Sequence, residues 1–386
     1  MRASWHRVAL LLFTIGWGAN HFGSLLLVYR ERLHLEPAAP ALLFGIYALG
    51  IIPAFLLAGP LSDRHGRRAL VVPAAAGALA ASLLLGVGGT HLAVLLVGRF
   101  CYGLAAGTVM GPGAVWLIEL SSGEDARTRT GVGARRATIA LSSGFAMGPL
   151  ISGLLAQYAP APTLTPYLVH ATALLAALLL VIAAPVPARP APTRERAPLL
   201  RIGLDATNRR RFVLGAAIMA PFVFAFPSIA FAALPAIFGP GALGHAPIAF
   251  TGLLGCITMS AAVLAQPLTR GATPTTGARI GITLGAAGLA LAALVVHLDR
   301  SGLLLLVSPL LGAGYGIAMT SGLRIVEHLA RPDARGGLTG LYYTLTYLGF
   351  ATPYLLALAA SPAGAAGGLL ALATLALASA CMLRAP

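Results

Sequence analysis

The chain has 386 residues, of which 58% are hydrophobic and only 10% are charged, and its mean hydropathy is +0.86. So few charged side chains cannot cover the surface of a soluble protein of this length, so the composition indicates a membrane protein. The net charge of +15 would suit a protein that binds nucleic acid. However, the Arg residues lie beside apolar stretches, where membrane orientation and anionic lipid account for them. We therefore expect membrane lipid, and no nucleic acid, as a partner.

Apolar stretches of about 20 residues, the length that crosses a bilayer core, recur along the chain with charged residues between them. Continuous apolar runs such as 92–97 and 303–307 are typical of helices, because the strands of a membrane β-barrel alternate in polarity. The sequence therefore predicts an all-α membrane protein with twelve transmembrane helices. The predicted spans are 8–29, 41–60, 69–89, 91–118, 137–158, 165–185, 212–236, 247–268, 278–297, 302–323, 337–360 and 364–383. The first is too long for a cleaved secretory signal, so we expect it to be retained.

The 26 basic side chains are all Arg, and their distribution predicts the orientation. With these spans, 22 of them fall on the side of the N-terminus, Arg99 lies inside a span, and only Arg30, Arg32 and Arg300 fall on the other side. Arg concentrates on the cytoplasmic side of membrane proteins, so both termini are predicted to be cytoplasmic. Abundant Ala, Gly, Pro and Arg without Lys is typical of a high-GC bacterial genome. We therefore expect a bacterial cytoplasmic (inner) membrane.

The chain also repeats itself across a polar segment that follows the sixth span. Glu119 is followed six residues later by Asp-Ala-Arg, and Glu327 shows the same pattern 208 residues further on. Residues 144–149 and 349–353 continue the repeat with Gly-Phe-Ala and a Pro. Duplication of a six-helix unit predicts two pseudo-symmetric bundles, 1–185 and 212–386, joined by a Pro- and Arg-rich cytoplasmic linker, 186–211. A substrate site would lie between the bundles near the midplane.

Residues 59–68, between the second and third predicted spans, read Gly-Pro-Leu-Ser-Asp-Arg-His-Gly-Arg-Arg. This segment resembles the signature loop G-x-L-x-D-R-x-G-R-R of the major facilitator superfamily. A gate would use Gly59 for close helix approach, Gly66 for a tight turn, and Asp63 to accept charge-assisted hydrogen bonds. The proposed gating residues are Gly59, Asp63, Arg64, Gly66, Arg67 and Arg68. The alternative, a basic turn that only sets orientation, needs neither Asp63 nor the glycines.

The fourth span carries Arg99 followed by Gly103 and Gly107, which resembles the superfamily motif R-x-x-x-G-x-x-x-G. A charge inside the hydrocarbon costs from about 2.5 to more than 10 kcal/mol, so Arg99 is expected to face the bundle interior. It is a candidate for transport or coupling. The alternative is an Arg bonded to helix-end carbonyls, and close packing alone accounts for the glycines.

His21, beside Asn20 in the first span, is the next candidate for transport or coupling, because histidine titrates near neutral pH and can carry a proton. The alternative is a hydrogen-bonded structural histidine. His170 is the weaker candidate, since it lies nearer the outer face. The middle of every predicted span lacks Asp and Glu, so proton coupling has no evident carboxylate carrier.

The fifth span contains Gly144, Gly148, Pro149 and Gly153, which resemble the motif G-x-x-x-G-P-x-x-G-G associated with antiporters of the superfamily. Ser152 replaces one glycine of that motif. Pro149 interrupts a backbone hydrogen bond and the glycines admit a neighbouring helix, which predicts a bend where the halves move. A purely structural bend is the alternative.

The resemblance to this superfamily covers the whole chain and implies alternating access. It favours efflux of small organic or drug-like molecules by proton antiport, in a monomer without cofactor or metal. The alternative is uptake of a metabolite by symport or facilitated diffusion. Scattered His and Cys residues disfavour a membrane enzyme or a metal site. Aromatic residues of the first, seventh and eleventh spans are candidates to line an apolar cavity: Trp17, Phe22, Tyr29, Phe222, Phe224, Phe226, Tyr342, Tyr343 and Tyr347.

Overall fold

The computed structural model describes residues 5–33, 39–89, 91–124, 132–184, 206–330, 335–358 and 361–384, and every regular element within them is helical. The first bundle contains α1 (Trp5–Arg32), α2 (Ala39–His65), α3 (Arg67–Val87), α4 (Leu92–Glu124), α5 (Val132–Tyr158) and α6 (Thr165–Ile182). The second contains α7 (Asn208–Ala242), α8 (Pro247–Thr269), α9 (Pro274–His297), α10 (Ser301–Leu329), α11 (335–357) and α12 (Pro362–Met382). The predicted all-α fold of two six-helix bundles is confirmed.

Eleven of the described helices are long and apolar enough to cross a membrane. The exception is α11, whose first half carries several Tyr and Thr side chains. One predicted boundary is wrong: residues 61–65, expected beyond the end of the second span, are the last turn of α2, and Gly66 alone separates α2 from α3. The predicted linker lies mostly outside the described residues, as do 125–127 and 333–334 of the repeated Asp-Ala-Arg.

The two bundles repeat the same helix contacts. Helix α1 packs on α5 and α2 on α4, just as α7 packs on α11 and α8 on α10. A Cβ atom added to Gly144 of α5 would collide with the Phe13 carbonyl oxygen of α1. One added to Gly349 of α11 would likewise collide with the Pro221 carbonyl oxygen of α7. Membrane helices pack closely where their residues are small, so the sequence repeat corresponds to repeated packing.

The bundles meet through different helices near the two faces of the molecule. We call the face where α1 begins the N-terminal face and the face where α1 ends the opposite face. Helix α5 crosses α8 in the half next to the opposite face, where Gly153 lies close to Gly252. Helix α2 crosses α11 towards the N-terminal face, where Gly340 packs against Leu56.

Candidate functional site

A cavity of about 200 Å³ lies between the bundles in the half next to the opposite face. Its walls come from α1, α7, α8, α11 and α12 and are mostly apolar, and its polar side chains are those of Arg30, Thr251 and Ser361. A second space, the vestibule, of about 490 Å³, adjoins it at the opposite face and adds Glu31. Leu27 and Arg30 line both. The two together form one recess between α1 and α7.

Helix α7 shapes the cavity because its hydrogen bonding departs from that of a regular α-helix. Residues Ile229–Ala233 form a π-helical turn, and Phe231, Ala232 and Ala233 within it line the cavity. Pro227 precedes this turn and Pro235 follows it. Such π turns inside α-helices occur frequently at functional sites, so the wall of this cavity is a specialised part of α7.

Aromatic side chains from both bundles join on the N-terminal side of the cavity. Phe55 of α2 stacks on Tyr343 of α11 with 4.8 Å between ring centroids, and Phe224 of α7 lies 4.6 Å from Tyr347. Phe224 precedes the cavity-lining Phe231 by seven residues, or roughly 10 Å of helix. The rings therefore separate the cavity from the N-terminal face. We call them the aromatic cluster: Phe55, Phe224, Tyr315, Tyr343, Tyr347 and Phe350.

Of the nine aromatic residues predicted as cavity candidates, three belong to the aromatic cluster: Phe224, Tyr343 and Tyr347. The other six pack within the bundles, and none of the nine is in the lining of the cavity or vestibule. That these nine residues line a substrate cavity stays a prediction, and the aromatic side chain in the lining of this cavity is Phe231.

Arg99 is 1% exposed and lies inside the first bundle, so the expectation that it faces the bundle interior is confirmed. Its guanidinium carbon lies 4.6 Å from the Phe22 ring centroid and 4.4 Å from that of Tyr47. Its Nε donates to the Leu43 carbonyl oxygen at 3.4 Å, while Nη1 has no partner among the described residues. The contacts are cation–π and carbonyl contacts rather than ion pairs. Its role in transport stays a prediction.

His21 is buried in the same bundle, and neither ring nitrogen has a hydrogen-bond partner among the described residues. Its ring stacks on Tyr167 of α6 at 4.4 Å and lies 5.6 Å from the ring of His170. Asn20 donates to the Phe145 carbonyl oxygen of α5 at 3.2 Å. None of Asn20, His21 and Arg99 lines the cavity or vestibule. Arg99 contacts Phe22, which follows His21 in the chain, so the two predicted coupling residues are close together but behind the cavity wall.

The predicted gating residues gather at the N-terminal face. Arg67 pairs with Asp63, and its Nε also donates to Glu119 of α4 at 3.3 Å. Arg68 donates to the Ile182 carbonyl oxygen of α6 at 2.5 Å. These contacts tie α2 and α3 to α4 and α6 within the first bundle. Arg64 is exposed beside them.

The two glycines of this segment behave differently. Gly66 has φ of +95°, a conformation that favours glycine, so the expected tight turn is present. At Gly59 a Cβ would meet no atom within 4 Å. The expected close helix approach at Gly59 is therefore wrong in this conformation. Close contact occurs instead at Gly103 and Gly107, which pack α4 against α2.

The α5 motif lies at two helix contacts. Gly144 and Gly148 pack against the backbone of α1, and Ser152 accepts a hydrogen bond from Trp17 Nε1 at 3.2 Å. Pro149 and Gly153 face α8, where a Cβ at Gly252 would collide with the Pro149 carbonyl oxygen. Pro149 cannot donate a backbone hydrogen bond, yet α5 continues through it as one helix. The motif thus links the first bundle to the second.

Several residues of the site escaped the sequence analysis. Arg30 was expected only as a charge in an outer connection, but it lines the cavity and donates to the Ala236 carbonyl oxygen at 3.0 Å. Phe55, Tyr315 and Gly252 acquire their roles from partners in distant helices. The one sequence signal for Arg30 was its position directly after the first predicted span, which falls in the last turn of α1. Among the described residues, no group of three His, Cys, Asp or Glu side chains could hold a metal ion.

Membrane-length helices in two related halves that enclose a cavity define a polytopic membrane transporter. The family model described as Major Facilitator Superfamily matches residues 8–353, and the chain belongs to this superfamily. It is thus a multi-pass integral membrane protein of a transporter family.

Solved structures of transporters share the fold over nearly the whole chain. A nucleoside transporter, NupG, superposes with a TM-score of 0.77 at 14% identity, covering 99% of this chain and 100% of that one. A D-xylose-proton symporter gives 0.73 at 15% identity, covering 98% and 96%. A peptide transporter, POT, in complex with sulfate gives 0.79 at 15% identity, covering 98% and 93%. These identities support the fold alone.

Sequence relatives match shorter stretches. The uncharacterised transporter YceJ of Bacillus subtilis is 28% identical over 204 residues, 53% of this chain and 49% of that protein. The glucose transporter GlcP of Staphylococcus epidermidis is 32% identical over 102 residues, 26% and 22% of the two chains. The multidrug resistance protein MdtL of Escherichia coli is 37% identical over 75 residues, 19% of each. The matches thus span from about a fifth to half the length of these relatives.

Proposed function

We propose that this protein exports small organic molecules in exchange for protons, by alternating access of one cavity to the two sides of a bacterial inner membrane. The observation that carries the proposal is the α5 motif at the boundary between the bundles. Pro149 and Gly153 pack on Gly252 of α8, beside the cavity. Close contact between small residues allows one bundle to rock against the other without losing packing. The similarity to MdtL supports the same reading.

Alternating access requires contacts that hold the cavity shut on one side at a time. In this conformation the bundles meet on the N-terminal side through the aromatic cluster and through Gly340 against Leu56. Towards the opposite face they meet through the α5–α8 crossing, where Gln157 Oε1 accepts from the Ile248 backbone N–H at 3.0 Å, and through the hydrogen bond from Arg30 to the Ala236 carbonyl oxygen. The excess of Arg on the N-terminal face supports placing that face in the cytoplasm. The cavity then lies on the outer side of the aromatic cluster.

The proton would be carried by the buried His21 beside Arg99 rather than by a carboxylate. The described Asp and Glu side chains lie near helix ends or in connections. His21 has two ring nitrogens without described partners, and one nitrogen of a neutral imidazole can accept a proton. The Arg99 guanidinium, which contacts the neighbouring Phe22, would disfavour a positive charge on His21 and so favour release of its proton.

The test is transport in vesicles that contain the purified full-length protein, with and without an imposed pH gradient. The panel contains fluorescent amphipathic compounds and radiolabelled glucose. We expect gradient-driven movement of the amphipathic compounds, and we expect His21→Ala and Arg99→Ala to lose its dependence on the gradient. His297→Ala, at the exposed end of α9, is the matched control. Movement that ignores the gradient in every variant would contradict proton exchange.

Uptake of a sugar is the second candidate, because GlcP is among the relatives. A sugar needs many hydrogen-bonding groups, since each hydroxyl that loses water without a partner costs free energy. The cavity offers the polar side chains of Arg30, Thr251 and Ser361 only. Glucose accumulation in vesicles, exceeding that of every amphipathic compound, would favour uptake over the proposed export.

A further inference from the structure

The polar groups of the cavity differ in their freedom to bind a ligand. The Thr251 hydroxyl donates to the Pro247 carbonyl oxygen of its own helix at 2.9 Å. The Ser361 hydroxyl accepts from the Gly364 backbone N–H at 3.1 Å, as the N-cap of α12. Arg30 has five N–H donors, and its only hydrogen bond among the described residues is the one to Ala236. Arg30 therefore holds most of the unused hydrogen-bonding capacity of the cavity.

The charge around the cavity has one sign. Arg30 is its one charged lining residue among the described residues, and no carboxylate lies in its lining. The described ion pairs, both at the N-terminal face, do not involve Arg30. Behind the α1 wall, Arg99 is buried without a carboxylate partner among those residues. The N-terminus of α12, capped by Ser361, adds a partial positive charge. The negative charge of Glu31 offsets these positive charges only in the exposed vestibule.

Resting on the proposed function, which makes this cavity the substrate site, we propose that the substrate is an amphipathic organic anion. Its acidic group binds the Arg30 guanidinium, and its apolar body fills the space beside Phe231, Leu356 and Ala365. The low dielectric of the apolar wall strengthens the attraction between the positive groups and an anion, and the field of the same groups repels a cation. A cavity of about 200 Å³ exceeds the apolar space of about 150 Å³ that admits benzene, so a fused two-ring body fits.

Three probes of one shape and different charge test the proposal: naphthalene-2-sulfonate, the neutral naphthalene-2-sulfonamide and the permanent cation 2-naphthyltrimethylammonium. Binding is measured by equilibrium dialysis on the purified full-length protein in nanodiscs of zwitterionic lipid, with empty nanodiscs subtracted. We expect the sulfonate to bind at least about tenfold more tightly than the cation. Equal binding of the three probes, or no binding of the sulfonate, overturns the proposal.

Variants then assign the anion site to one side chain. Arg30→Gln should weaken sulfonate binding about tenfold and change sulfonamide binding by less than about threefold, because only the anion loses a charge-assisted contact. Arg30→Lys should keep most of the sulfonate affinity. Arg300→Gln, an exposed Arg outside the cavity lining on the same face, is the matched control. Unchanged sulfonate binding in Arg30→Gln overturns the proposal.

The binding assay is independent of the transport assay. A protein that moves amphipathic compounds in vesicles but prefers the cation would retain the proposed function and lose the anion inference. A protein that binds the sulfonate through Arg30 but moves none of the three probes under any gradient would lose the proposed function instead. Size-exclusion elution of each variant shows whether it is folded, and the probe comparison on the unmodified protein stands without any variant.

Discussion

At the scale of single residues, the two buried histidines of the first bundle have opposite surroundings. His170 Nε2 donates to the Thr14 carbonyl oxygen at 3.0 Å, and its Nδ1 accepts from the Ser82 hydroxyl at 2.8 Å. It thereby joins α6 to α1 and α3. His21 packs by stacking and has no described hydrogen bond. His170 is therefore part of the hydrogen-bonded packing of the bundle. No structural hydrogen bond accounts for a polar ring at His21, which leaves a functional role to account for it.

Replacement by Phe separates these two roles. His170→Phe keeps the ring but leaves Ser82 and the Thr14 carbonyl without their partner, so we expect a loss of about 2–4 kcal/mol in the free energy of unfolding. His21→Phe keeps the stacking on Tyr167 and removes no described hydrogen bond, so we expect a change within about 1 kcal/mol. Thermal unfolding in detergent measures both. Equal destabilisation by the two changes would contradict this assignment.

Arg99 gives a second prediction at this scale. Arg99→Met removes a buried charge without a carboxylate partner among the described residues and keeps a long side chain between Phe22 and Tyr47. The lost cation–π contacts, about 0.5–2 kcal/mol each, are offset by the removed cost of burying the charge. We expect the free energy of unfolding to stay within about 2 kcal/mol while gradient-driven transport is lost. A larger fall in stability would make Arg99 a structural residue.

At the scale of helices, the crossing of α5 and α8 depends on glycine. Gly252→Ala places a methyl group against the Pro149 carbonyl oxygen, which is backbone and cannot move aside. We expect a loss of about 1–3 kcal/mol and reduced transport, because in the proposed cycle the bundles rock against each other at this crossing. Gly111→Ala, where a Cβ meets no atom within 4 Å, is the matched control and should be neutral or stabilising by up to about 1 kcal/mol. Equal effects in thermal unfolding and transport would contradict the role of this crossing.

Helix positions were predictable from sequence because each is decided by its own apolar residues. The end of α2 was not, since residues 59–65 are polar and Gly-Pro-rich yet helical, held by contacts of Arg67 with Asp63 and Glu119. The π turn at Ile229–Ala233 also gave no local signal beyond its flanking prolines. Such features are decided by neighbouring helices, which override local propensity.

The site was predictable only in part for the same reason. Motifs identified Arg67, Gly144 and Gly148, whose contacts lie within the first bundle. Arg30 and Phe55 were missed because their partners, Ala236 and Tyr343, belong to the other bundle more than 200 residues away. A single sequence gives the face of a helix but not the helix opposite it, so residues between the bundles are the hardest to predict.

At the scale of the whole molecule, the proposed alternating access requires the two bundles to separate on the N-terminal side as well as on the opposite side. The contact of Gly340 with Leu56 offers a way to prevent this, because a Cβ at Gly340 would lie 3.6 Å from the Leu56 Cα. Two positions this close can be tested with an engineered disulfide, which joins Cβ atoms about 3.5–4.5 Å apart. The cross-link would join α2 to α11 beside the aromatic cluster.

We therefore expect Leu56→Cys with Gly340→Cys, in a chain whose native Cys101, Cys256 and Cys381 are replaced by Ala, to lose transport on oxidation and regain it on reduction. Naphthalene-2-sulfonate binding should survive oxidation, because the cavity lies on the other side of the aromatic cluster. Leu56→Cys alone, treated with the same oxidant, should transport normally. If the fully cross-linked protein transported at the normal rate, opening of the bundles at the N-terminal side would not be part of the cycle, and alternating access between rocking bundles would have to be abandoned.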